Sequence, residues 1–180
     1  MFYSLLKHGL LMLISLILSL MWSFPSPLYA QNYTGTITIP LLGVQAEIIP
    51  VEIQKLPGRG NTWDVSALNM TVGYFTHLPW FGQGSNVVLG GHALSSMGNP
   101  DVFYNLDELA IGDDIFVRAN GQEYHYRVAE NFTVDKYELR VLYPTLHEQI
   151  TLITCERNSY NTRTNRYQRR VVIVAVPVGQ

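Results

Sequence analysis

Hydrophobic positions along this 180-residue chain fall into two regimes. From Gly9 to Phe24 the sequence reads GLLMLISLILSLMWSF without a charge, with Lys7 before it and prolines at 25 and 27 after it. A basic start followed by such a run predicts an export signal. It is either a secretory signal peptide cleaved after Ala30, in the stretch Leu28-Tyr29-Ala30, or an uncleaved signal anchor. The run is shorter than the about 20 residues that a bilayer core takes, but residues 25–30 can complete the span. Lys55 is the first basic residue beyond it. Positive-inside logic therefore leaves the N-terminus in the cytoplasm and everything beyond residue 31 outside.

After residue 31 the apolar positions alternate with a period of two. Residues 36–40 (TITIP), 46–51, 86–91 (NVVLGG), 115–119, 122–129, 149–155 and 170–176 are short and rich in β-branched side chains, which predicts strands. Asn120-Gly121 lies between two alternating flanks, IFVRA and QEYHYRVA. That dipeptide supplies the two positive-φ residues of a type I′ hairpin turn. Long helical stripes are missing, and residues 99–109 and 144–148 are expected to form only short helices or turns. Seven or eight short strands in one domain spanning 31–180 predict a mainly β fold, a closed or nearly closed barrel.

Composition narrows the chemistry. With 47% hydrophobic and 14% charged residues and a net charge of -2, the chain is neither disordered nor a general polyanion binder, so no nucleic-acid partner is expected. A single cysteine closes no intramolecular disulfide and builds no cysteine-rich zinc site. Cys155 is thus an inert buried thiol, an intermolecular bridge or a nucleophile. It ends the strand TLITC, ahead of the polar loop ERNSYNTRTNRYQ and a second strand, RRVVIVAV. A rigid strand end beside a loop suits a nucleophile, and Arg157, Arg163, Arg166, Arg169 and Arg170 are expected to add a positive field that favours the thiolate.

A thiol nucleophile needs a proton partner. Of the five histidines, His8 precedes the exported part, His125 sits within an alternating strand, and His77 and His147 occupy proline-flanked loops. His92 follows VVLGG at a strand end, where two glycines permit close backbone approach. The Asn-x-Thr triplets at Asn32, Asn69 and Asn131 would mark glycosylation only in a eukaryotic secreted chain.

These segments together resemble the sortase family, extracytoplasmic cysteine transpeptidases of bacterial surfaces. TLITC at 151–155 is similar to the family's Thr-Leu-x-Thr-Cys signature. Arg170 ahead of VVIVA resembles the strand that bears the catalytic arginine, and NVVLGGHA at 86–93 the strand that ends at the histidine. Residues 37–51 and 102–117 are similar to the family's opening strands and its segment after the histidine. The resemblance covers about residues 37–176.

It implies an eight-stranded sortase-type β-barrel with short helices. It further implies cleavage of a C-terminal sorting signal like Leu-Pro-x-Thr-Gly through a thioacyl enzyme, with transfer to an amine of a peptidoglycan precursor or a pilin subunit. By position Cys155 is the nucleophile, His92 the general acid and base, and Arg170 the group that orients substrate and stabilises the oxyanion. Arg169 is the rival for the last role, but it would point to the opposite face of its strand. The backbone N–H of Glu156 is the expected second oxyanion donor. Thr154, Glu156, Val141, Leu142 and Leu146 are the expected substrate-binding residues, and the aromatics of residues 74–82 (YFTHLPWFG) either line the same groove or plug a barrel end. No cofactor or metal is expected, Asp113-Asp114 reading as a solvated turn. The implied partners are secreted proteins bearing sorting signals, an amine acceptor, and the membrane if the leader is uncleaved. An exported cysteine hydrolase of another family and a noncatalytic surface-binding barrel remain as alternatives.

Overall fold

A computed structural model describes residues 33–56 and 60–179. The expected leader, residues 1–30, lies outside the described residues. Twelve strands occur among those described: β1 (Gly35–Ile39), β2 (Val44–Val51), β3 (Ile53–Leu56), β4 (Gly60–Trp63), β5 (Val72–Phe75), β6 (Asn86–Gly90), β7 (Asp114–Ala119), β8 (Gln122–Asp135), β9 (Gln149–Cys155), β10 (Tyr160–Asn161), β11 (Arg166–Tyr167) and β12 (Arg169–Pro177). Eight of them close into a barrel in the order β1-β2-β5-β6-β9-β12-β8-β7, with β7 pairing back onto β1. β3–β4 and β10–β11 are separate two-stranded ribbons. Among the described residues, no helix is long and apolar enough to cross a membrane.

The period-two pattern decides what faces in. Ile150 and Leu152 of β9 and Val171, Ile173 and Ala175 of β12 enter the core with Ile37, Ile39, Ile48 and Val117. Cys155 and Arg170 lie on the alternate positions and so project from the outer face. The barrel end remote from them is filled by aromatics: Trp80, wholly buried, meets Tyr74 edge-on at 4.5 Å and Phe81 at 4.7 Å. Tyr74, Trp80 and Phe81 of the residues 74–82 segment therefore plug the barrel, whereas Phe75 stacks on Trp63 at 5.0 Å and lies over Gly90 of β6. Trp80 Nε1 donates to Asn120 Oδ1 at 3.0 Å, which ties the plug to the hairpin turn, where Asn120 and Gly121 have φ of 54° and 71°.

Besides the two ribbons, which were not expected, three elements differ from expectation. β8 continues to Asp135, well past residue 129, because β12 pairs with it along its whole length, across a bulge that inserts Ala129 of β8 between the pairs Glu130–Val174 and Val128–Ala175. β5, unforeseen, is four residues long and owes its strand state to parallel pairing with β2 and antiparallel pairing with β6. Residues 144–148 hold no helix; the Thr145 N–H donates to Ser85 Oγ at 3.0 Å instead, and a single 3-10 turn forms upstream at Arg140–Leu142.

Candidate active site

Cys155 is the last residue of β9, and Arg170 stands directly opposite it on β12. In an antiparallel pair such residues share a face. The Arg170 guanidinium donates to the carbonyls of Tyr167 (3.2 Å) and Arg169 (3.0 Å), which fixes it beside the strand end. Burial pushes the Cys155 thiol above its ordinary value, and Arg170 pulls it partway back. The Tyr167 phenol is raised as well, first by burial and then by Cys155.

The expected field from five arginines is not what forms. Arg157 pairs with Asp107 at 3.1 Å and Arg169 with Glu156 at 3.4 Å, while Arg170 acts on the thiol. Each ion pair cancels most of its own field at a distance. Arg169 also donates to Thr133 Oγ1, so it faces β8 and not Cys155. The Glu156 N–H donates to the Arg169 carbonyl at 3.1 Å. It is committed to the ladder, which corrects the expectation that it serves as a free oxyanion donor.

His92 is delivered to the same barrel end by β6, which runs parallel to β9. The Gly91 N–H donates to the Ile153 carbonyl at 3.1 Å, and the buried Thr154 hydroxyl donates to the Gly91 carbonyl at 2.8 Å. Glycine is required at 91 because a Cβ there would stand 2.6 Å from Phe103 Cδ2 and 2.7 Å from Val102 Cγ1. His92 Nε2–H donates to the Val65 carbonyl at 3.0 Å. Nδ1 is then the nitrogen left to exchange a proton. Ser66 caps Asp64 through its hydroxyl (2.6 Å) and N–H (3.1 Å), which holds that carboxyl below its usual range and braces the turn carrying Val65. Sequence reasoning missed Val65, since a backbone carbonyl leaves no mark on residue type.

The other expected site residues divide. Thr154 is buried with its hydroxyl spent on Gly91, so it braces the histidine strand and offers substrate nothing. Val141 and Leu142 are half-buried on the turn Arg140–Leu142, in the long connection from β8 to β9. Leu146, 95% exposed, lines a cavity with Gly84, Tyr124 and Val176, at the barrel end remote from Cys155. The connection is pinned by Asn86, which is fully buried and donates to the carbonyls of Val141 (3.0 Å) and Tyr143 (3.1 Å). His125 Nε2 meets Asp114 at 2.8 Å, and that carboxylate also accepts from Arg127, so His125 is a paired strand residue. His77 and His147 lie away from the thiol, on the exposed loops after β5 and before β9. Among the described residues, no group of three or more His, Cys, Asp or Glu is arranged to hold a metal ion.

Comparison with known proteins bears on this arrangement directly. A family model described as Sortase domain matches residues 37–178. No curated protein matches. Among solved structures, the chain is similar to a Sortase D5 transpeptidase from Clostridium perfringens, at 25% identity and a TM-score of 0.61, covering 81% of this chain and 78% of that one. It is similar to sortase C-1 from Actinomyces oris, at 26% identity and a TM-score of 0.63, covering 81% and 72%. A lid mutant of sortase A from Corynebacterium diphtheriae shares the fold, at 23% identity and a TM-score of 0.64, covering 86% and 75%. With the model spanning nearly all of the barrel, the chain belongs to the sortase family and is a cysteine transpeptidase.

Proposed function

We propose that this enzyme cleaves a C-terminal sorting signal like Leu-Pro-x-Thr-Gly on a secreted protein and joins the new carboxyl end to an amine of a peptidoglycan precursor or a pilin subunit. The observation that carries the reading is the convergence, at one barrel end, of the strand ends that bear Cys155, Arg170 and His92. Cys155 and Arg170 face each other across β9 and β12, and His92 is anchored alongside through Gly91.

The residues act in sequence. The Cys155 proton passes to His92, and the thiolate attacks the carbonyl carbon of the threonine. The resulting oxyanion is stabilised by the Arg170 guanidinium, whose role is larger for the loss of the Glu156 N–H to the ladder. Imidazolium His92 then protonates the departing amine as the C–N bond breaks, leaving a thioester on Cys155. The incoming amine gives a proton to neutral His92, attacks the thioester, and releases the Cys155 thiolate. Val141 and Leu142 form the wall for the Leu-Pro part of the signal, on a connection that Asn86 holds in place. The N-terminal run keeps the enzyme at the cell membrane with its barrel outside, or releases it if cleaved.

The test is incubation of the purified chain with quenched Leu-Pro-x-Thr-Gly-like peptides, with and without an amine acceptor. Transpeptidation that disappears in Cys155→Ala supports the proposal. Hydrolysis that ignores added amine points to an exported hydrolase, and an unreactive thiol to a binding barrel; either result rejects it.

A further inference from the structure

We propose that Arg157 is a positioning residue that sets the distance between Cys155 and His92. The inference rests on the roles proposed for those two residues. Arg157 follows Cys155 by two positions, on the single 3-10 turn Arg157–Ser159 that leaves β9. Its Nη2 donates to both carboxylate oxygens of Asp107, at 3.2 and 3.1 Å, and Nη1 to Asn105 Oδ1 at 3.3 Å. The guanidinium carbon lies 4.2 Å from the centre of the Tyr104 ring. Planarity, charge and stacking are all used at once, which lysine does not reproduce.

The segment that Arg157 grips is the one hanging from the histidine. The Phe103 N–H donates to the His92 carbonyl at 3.0 Å. The far side of the segment is held on β8, where Asn131 Nδ2 donates to the carbonyls of Asp107 (3.1 Å) and Leu109 (2.6 Å). Arg157 therefore bridges the chain leaving the nucleophile and the chain leaving the acid-base group, and the second chain is itself fixed. Asp107 neutralises its charge, and the cation that acts on the Cys155 thiol is Arg170. Arg157 touches no reacting atom and works through placement, to which proton transfer over hydrogen-bond distances is sensitive: a shift of about 1 Å can cost about 10²-fold.

The test is the rate of Cys155 alkylation by iodoacetamide across pH in the full-length chain, read beside peptide kinetics. The wild-type profile should contain a step that His92→Ala removes. Arg157→Ala should lose the same step, and its kcat/KM should fall by about tenfold or more with KM within about twofold. Asp107→Asn, which keeps the side-chain volume, should reproduce the loss in part and serves if Arg157→Ala does not fold. Arg157→Ala/Asp107→Asn should be no worse than Arg157→Ala. A profile in Arg157→Ala or Asp107→Asn that keeps the His92 step, or losses that multiply in the double variant, overturns the inference. A wild-type profile with no His92 step refutes the role of His92 itself and takes this inference with it, a result distinct from the other two.

Discussion

Arg170 and Cys155 are partners across β9 and β12 on the outer face of the barrel, whereas Arg169, one residue earlier, is turned to Glu156 and Thr133. Two adjacent arginines thus have separate duties. Arg170→Ala is expected to lower kcat/KM for a sorting peptide by about 10²-fold or more, the range for removal of an oxyanion donor. Arg169→Ala should cost far less, since it releases a partly exposed ion pair. Steady-state kinetics of the two variants decide the matter, and the reverse ranking would overturn the assignment.

The thiol should titrate on the alkaline side of a free cysteine. Burial raises it and Arg170 lowers it by less, so the thiolate is populated at high pH and lost as pH falls through the raised value. Removing Arg170 removes the lowering influence and moves the titration further up. Iodoacetamide alkylation against pH measures both. A midpoint at or below the about 8.5 of a free thiol, or a downward shift in Arg170→Ala, would refute this account.

Thr154→Val keeps the shape of the side chain but leaves the Gly91 carbonyl without its 2.8 Å donor. The cost should be about 1–3 kcal/mol, read from the denaturant midpoint. Turnover should fall too, because Gly91 carries His92, and Thr154→Ser should restore part of both. Unchanged stability and turnover in Thr154→Val would break the link between the signature threonine and the histidine strand.

Asn86→Ala frees two carbonyls of the β8–β9 connection and strips the buried Thr151 hydroxyl of its 2.7 Å acceptor. If that connection forms the wall for the sorting signal, KM for the peptide should rise more than kcat falls. A pure kcat effect would place peptide binding elsewhere.

Legibility in the sequence followed the range of the interaction. Asn120-Gly121 was readable because a type I′ turn is decided by two φ angles within two residues. β9 and β12 were readable because alternation and β-branching are local. β5 was not, since a strand containing a glycine is made by the neighbours that pair with it on both sides. Leu146 follows Val141 and Leu142 closely in sequence, but those two are half-buried while Leu146 is 95% exposed and lines a cavity with Gly84, Tyr124 and Val176, a difference that neighbouring apolar residues do not announce.

By itself, the sequence determined an apolar N-terminal run, a strand-rich domain, one thiol at a strand end, and a histidine behind two glycines, all from patterns spanning a few residues. Barrel closure alone decided which groups are free to act. It paired Arg157 with Asp107 and Arg169 with Glu156, spent the Glu156 N–H on the ladder, and set the Val65 carbonyl against His92. Whether a charge or a donor is available depends on partners brought together from distant positions by strand register, and residue type in one dimension carries no record of that pairing.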